Sequence, residues 1–153
     1  MNIGTWNVQG IATKTEKVLR EIKKYDTDIV GFTETKKKGR GSEERNGYIH
    51  IYSGVPKEER ARSGVSIAIK NRYKKNITSW EQISDRILKV QMELKSHVVI
   101  IVVAYAPNDD ADMVSKDVFY VELTKSLEKV SDRKELLLVG DLNALDGEFP
   151  ILL

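Results

Sequence analysis

Apolar and polar residues alternate along this chain in short blocks whose period switches between two and about 3.6. Ile3 to Val8 reads as a strand, with Trp6 and Val8 on one face, Asn7 on the other and Gly10 ending it. Thr13-Lys14-Thr15-Glu16 has capping-box spacing, and Val18, Leu19, Ile22 and Tyr25 follow at helical intervals with Lys and Arg between them. The spacing predicts a helix from Lys14 to Lys24. Asp28 to Thr33 is the next strand, nearly continuous in Ile29, Val30 and Phe32. Strand, helix and strand within about thirty residues make a βαβ-sized unit, which favours parallel pairing.

Lys36 to Asn46 is polar and punctuated by glycine, so it is predicted as loop. Tyr48 to Ser53 sets Tyr48, His50 and Tyr52 against Ile49 and Ile51, a half-buried strand, and Val55 to Arg62 reads as a charged hairpin connection. Val65 to Lys70 and Ile87 to Leu94 alternate with period two and belong in antiparallel strands with one wetter face. Val98 to Ala104 is a continuous β-branched run, the pattern of a central strand covered on both faces. After the acidic turn Asn108 to Asp112, a second helix from Ser115 to Val130 has Phe119, Leu123, Leu127 and Val130 as its buried stripe. Leu136 to Val139 is a short apolar strand that runs into Gly140-Asp141-Leu142-Asn143, and Phe149 to Leu153 is apolar. The expectation is an α/β protein of about seven strands and two helices, without internal repeats.

At 153 residues there is room for one domain. The chain has no cysteine, which excludes disulfides, thiolate chemistry and Cys-containing zinc sites. Its longest apolar run, Val98 to Ala106, is far short of a bilayer span, and Met1 to Thr5 lacks the pattern of a signal peptide. No membrane partner and an intracellular location are expected. The net charge of +2 hides a split. Residues 1–80 carry 17 Lys and Arg against 9 Asp and Glu, whereas residues 81–153 carry 8 against 14. A basic half beside an acidic half suits a polyanion-binding surface next to a carboxylate site, and ordinary surface solvation accounts for it equally well.

In α/β sheets, sites form at the carboxyl ends of strands. Asn7, Glu34, and Asp141 with Asn143 hold such positions. If folding joins them, two carboxylates and two amides make an oxygen-rich site suited to Mg²⁺. Each also has a plain structural reading: Asn7 as a turn cap, Glu34 as a solvated acid, Asp141 as a turn residue.

Thr5-Trp6-Asn7-Val8-Gln9-Gly10, Thr33-Glu34-Thr35, Ser63-Gly64-Val65 with Ile67, Ala104-Tyr105-Ala106-Pro107-Asn108 and Gly140-Asp141-Leu142-Asn143-Ala144 occur in that order. Together they resemble the endonuclease/exonuclease/phosphatase family, and within it the endonuclease domains of non-LTR retrotransposons and the related craniofacial development protein 2-like sequences. The resemblance implies a DNase-like αββα sandwich and metal-dependent phosphodiester hydrolysis on DNA, with Mg²⁺ or Mn²⁺ as cofactor and the nucleus favoured over the cytoplasm. By it, Glu34 is a metal ligand, Asn7 supports the metal and Tyr105 approaches the scissile phosphate. Asp141 orients or deprotonates the attacking water beside the metal, and Asn143 helps hold the phosphate. Lys36, Lys37, Lys38 and Arg40 form a basic loop that would position a nucleic-acid backbone without reading its bases, although a solvated loop explains them as well. Ser84-Asp85-Arg86-Ile87 resembles the family's lead into a sheet strand, a structural role.

The family continues past the Gly-Asp-x-Asn block, through a second sheet, to an Asp-His pair. Neither His50 nor His97 matches that histidine. The chain therefore reads as an amino-terminal portion of the domain, truncated after Asn143 and inactive by itself. A phosphatase of the same fold and a non-catalytic remnant with weak nucleic-acid binding are the alternatives. The two helices are expected to cover only one side of their sheet, with much of the family's second sheet lying beyond Leu153, so the other side stays apolar and open, and self-association through it is expected.

Overall fold

The computed structural model describes residues 1–143. β1 (Ile3–Asn7) leads through α1 (Thr15–Lys24) to β2 (Ile29–Thr33), and the two strands pair in parallel, with Asn7 beside Thr33. β3 (Arg40–Arg45), β4 (Tyr48–Ser53) and β5 (Val65–Lys70) complete a first sheet of order β1-β2-β5-β4-β3. A 3-10 turn at Asn71–Asn76 then leads to a second sheet. Its strands are β6 (Ile77–Gln82), β7 (Ile87–Leu94), β8 (His97–Tyr105) and β9 (Lys134–Asp141), in the order β6-β7-β8-β9. α2 (Met113–Glu128) is the crossover that makes β8 and β9 parallel.

Period-two alternation assigns the faces. Ile29, Ile49, Ile51, Val65, Ile67 and Ile69 of the first sheet meet Leu88, Val90, Met92, Val99, Ile101 and Val103 of the second in a central core. On the outer side of the first sheet, Val18, Leu19 and Ile22 of α1 cover Val30, Phe32, Tyr48 and Ala68. On the outer side of the second, Phe119, Leu123 and Leu127 of α2 cover Ile87, Ile100, Val102 and Ala104. The layers run helix, sheet, sheet, helix.

This layering corrects the single-sheet expectation. The two helices lie on opposite faces of the sandwich, and the second sheet is built from β6 to β9 within residues 77–141. β8 is covered on both faces because the first sheet lies on one side and α2 on the other. Nothing in this arrangement supports self-association through an open apolar face. Among the described residues there are nine strands, two more than the pattern suggested. β3, in the segment predicted as loop, and β6 are edge strands, mostly exposed and polar, so they lack the alternation that marks a half-buried strand. The capping box is not formed either. Lys14 takes the N-cap position without a side-chain bond, while Thr15 Oγ1 donates back to the Ile11 carbonyl.

Candidate functional site

Four strands end at the same corner of the sandwich. β1 ends at Asn7 and β2 at Thr33, just before Glu34; β8 ends at Tyr105 and β9 at Asp141. The sheets approach closely at Gly31, where a Cβ would sit 2.9 Å from Val139 and 3.3 Å from Val103. Glycine is needed there because any side chain would push the sheets apart. Two residues further along each strand, the same inward face carries Asn7 beside Thr33 and Tyr105 beside Asp141.

Backbone hydrogen bonds lace the loops of this corner together across both sheets. Gly10 N–H donates to the Glu34 carbonyl at 2.7 Å and Ile11 N–H to Thr35 at 2.7 Å. Thr35 N–H donates to Gly64 at 3.1 Å, and Gly64 N–H donates across to Asp85 of the other sheet at 2.9 Å. Tyr105 N–H reaches Arg86 at 2.9 Å, and Ala106 N–H reaches Asp141 at 2.9 Å. Ser63 Oγ also donates to the Asp85 carboxylate. The conformation is unusual: Gln9, Glu34, Lys36, Ser63 and Asn143 all have φ between +45° and +54°. Strain of this kind persists where surrounding bonds over-determine the backbone, and it clusters at functional sites.

The Asn7 side chain is exposed, and its Oδ1 accepts from Gln9 N–H at 3.3 Å, so its carbonyl end is held by a local turn. Glu34 is half-buried, with Lys36 Nζ 3.8 Å from its Oε1. Tyr105 is buried, and Arg86 lies over its ring at 4.9 Å while donating to its carbonyl at 3.1 Å. Burial, then the Glu34 carboxylate, pushes the Tyr105 hydroxyl above the ordinary tyrosine range; Asp141 adds to the rise and Arg86 opposes it. Both acids therefore act on the same phenol, although one follows β2 and the other ends β9. Asp141 Oδ1 accepts from Asn143 N–H at 2.9 Å, and Asn143 Nδ2 donates to the Ala106 carbonyl at 2.8 Å. Asn143 thus clamps the ends of β8 and β9 together.

The basic loop is divided. Lys36 faces Glu34, whereas Lys37 is half-buried between Glu43, at 3.7 Å, and the Tyr52 ring, at 4.5 Å. Lys38 Nζ donates to the Lys57 carbonyl at 3.4 Å and Arg40 to Ile83 at 3.5 Å. His50 is fully buried beside Glu43, and His97 pairs with Glu135 at the surface. Sequence reasoning left Arg86 and Ser63 without a site role. Their only signal was the Ser84-Asp85-Arg86 and Ser63-Gly64 motifs, whose partners lie in the opposite sheet.

Among the described residues, no three His, Cys, Asp or Glu side chains gather into a metal cage. The corner offers two carboxylates, an amide and a phenol, all oxygen donors. That set fits a hard cation that keeps several waters and shares a substrate phosphate, as Mg²⁺ does, and does not fit a closed zinc site.

An αββα sandwich with an oxygen-lined corner at its strand ends places this chain in the class of DNase-like folds. Residues 4–150 match the endonuclease/exonuclease/phosphatase family, and the chain belongs to it. Craniofacial development protein 2 of Bos taurus is 29% identical over 146 residues, covering 95% of this chain and 24% of that protein. The chain therefore spans about a quarter of the length of that relative, and the same holds for the Tragulus javanicus protein at 25%. The APE2 catalytic domain of Xenopus laevis superposes with a TM-score of 0.71 at 19% identity, covering 94% of this chain and 59% of that one. The 3′ phosphatase NExo of Neisseria, bound to a product DNA hairpin, gives 0.69 at 18% identity over 94% and 58%. At these identities the structural likeness shows the fold. Among the described residues no helix is long and apolar enough to cross a membrane.

Proposed function

We propose that the corner formed by Asn7, Glu34, Tyr105 and Asp141 binds a nucleic-acid phosphodiester together with a divalent cation, and that binding is what these residues support on their own. The observation behind this reading is that Glu34, just after β2 of one sheet, and Asp141, at the end of β9 of the other, come to the corner where Tyr105 is buried. A tyrosine whose hydroxyl keeps its proton through the physiological range can donate to a phosphoryl oxygen. Lys36, beside Glu34, supplies a phosphate contact without base readout. Glu34, Asp141 and the Asn7 amide oxygen would hold Mg²⁺ or Mn²⁺, which when bound would neutralise charge on the phosphate. Asn143 and Arg86 each bond a backbone carbonyl at or just past the end of β8, which ties the strand ends of this corner together.

Hydrolysis of the bound diester is the second reading, favoured by family membership. In it, Asp141, fixed by the Asn143 N–H, takes a proton from the attacking water.

Fluorescence anisotropy with a labelled DNA duplex separates the two when run beside a plasmid-nicking assay. Binding should strengthen on adding Mg²⁺, and Glu34→Ala should abolish that increment while raising affinity in EDTA, because a carboxylate facing the phosphates is gone. Lys36→Ala should lower the slope of log K against log salt by about 0.9. A Mg²⁺ increment unchanged in both Glu34→Ala and Asp141→Ala would refute the site. Nicking lost specifically in Asp141→Ala would establish hydrolysis.

A further inference from the structure

The Thr33 hydroxyl does not fit a purely structural account of this corner. Thr33 is 1% exposed, its carbonyl accepts from Val8 N–H at 3.1 Å, and its Oγ1 has no hydrogen-bond partner among the described residues. Buried hydroxyls are normally paired, and an orphan destabilises the fold that holds it. Its position is specific. Thr33 is the last inward residue of β2, level with Asn7 in the parallel register and one residue before Glu34. The previous inward residue, Gly31, faces Val103 and Val139, so Thr33 belongs to the same inward layer as Tyr105 and Asp141. Valine would fill the same volume without the unpaired oxygen, and the neighbouring inward position, Val65, is a valine.

We propose that Thr33 is a positioning residue whose hydroxyl, closed off from solvent in the unliganded fold, gains a water of the cation's shell as its partner when the ion binds, and that the orphaned oxygen is the stability given up for it. The inference rests on the cation-binding reading of Glu34 and Asp141. Mg²⁺ retains much of its water when bound by few carboxylates, and a second contact to such a water fixes the ion's orientation.

The test uses the 153-residue chain, Mg²⁺ alone as probe, and two variants. Thr33→Val keeps shape and removes the hydroxyl; Thr33→Ser keeps the hydroxyl and removes the methyl. In EDTA, Thr33→Val should melt about 2–4 °C higher than wild type. By isothermal titration it should bind Mg²⁺ about 2- to 12-fold more weakly, the range for one hydrogen bond. Thr33→Ser should melt lower and keep wild-type affinity to within about 2-fold. That opposite ordering of stability and affinity is something a residue acting only in packing would not produce. Wild-type Mg²⁺ affinity in Thr33→Val overturns the role of Thr33 while leaving the cation site standing, and so does a lower melting temperature of that variant in EDTA. A wild-type protein that shows no Mg²⁺ binding, or binding unchanged in Glu34→Ala, overturns the cation site and this inference with it.

Discussion

Under α1, the outer face of the first sheet carries Phe32 and Tyr48 beside a buried His50 and Ser66, whereas the face under α2 is mostly hydrocarbon, in Ile87, Ile100, Val102 and Ala104, with Lys89 reaching the carbonyl of buried Ser126 at its side. The helices differ in the reverse sense. α1 is polar wherever it faces solvent, but α2 exposes Val114, Val118 and Val121 at i, i+4 and i+7, opposite its buried Phe119 and Leu123. The first half buries an imidazole; the second exposes a row of valines. The consequence is that the first half buries a histidine that acid can charge, whereas the second buries none among the described residues.

The largest effect expected is common to both halves. Leu19→Ala under α1 and Leu123→Ala under α2 each remove a fully buried side chain and should cost about 2–5 kcal/mol in urea unfolding. Equal losses would show that the two helices seal their sheets equally well.

Acid should then separate the halves. Burial pushes His50 down to about 4, against the pull of Glu43. Its folded value is below the unfolded one, so the unfolded chain takes up a proton first as pH falls. Stability is full above about pH 6.5 and is lost down to about pH 4, on the order of 3 kcal/mol in total. His50→Gln should flatten this part of the curve, and a slope unchanged in that variant would assign the acid sensitivity elsewhere. Burial favours protonation of Asp28, but the Asn2 N–H and then Arg72 outweigh it and hold the carboxyl below its ordinary value. Asp28 therefore stabilises above the ordinary carboxylate pKa, and that share is lost as pH falls through its lower folded value. Asp28→Asn should cost about 1–3 kcal/mol at pH 7 and progressively less in acid.

Sequence pattern resolved these halves unequally. The run from Val98 to Ala104 announced a strand covered on both faces, and the period of Phe119, Leu123 and Leu127 announced the helix that covers one of them. What covered the other face could not be read, because that depends on how β2, β4 and β5 stack on β7 and β8. The strand β6 was invisible, since Thr78, Ser79 and Glu81 at an exposed edge obey no burial period. At the corner, strand-end position singles out Asn7, Glu34 and Asp141. The inward direction of Thr33 appears only once Gly31 is seen against Val103 and Val139. Likewise, the bond from Ser63 to Asp85 joins residues of different sheets, and no local pattern encodes it.

The smallest effect belongs to the outside of α2. Val118→Lys should change stability by no more than about 0.5 kcal/mol, since that side chain is 51% exposed. A larger loss would mean that something covers this face.

The corner draws its residues from the first strand and from the last one described, and that sets a timetable. β1 to β5 pair entirely within residues 3–70, so the first sheet can close while the rest of the chain is still being made. Asp141 arrives 71 residues after Lys70, a delay of about 4–14 s at ordinary rates of synthesis. Until β9 docks on β8, a nascent chain holds Glu34 and Lys36 without Asp141 beside Tyr105. The corner is therefore completed only when the last described strand docks, after the first sheet is already built.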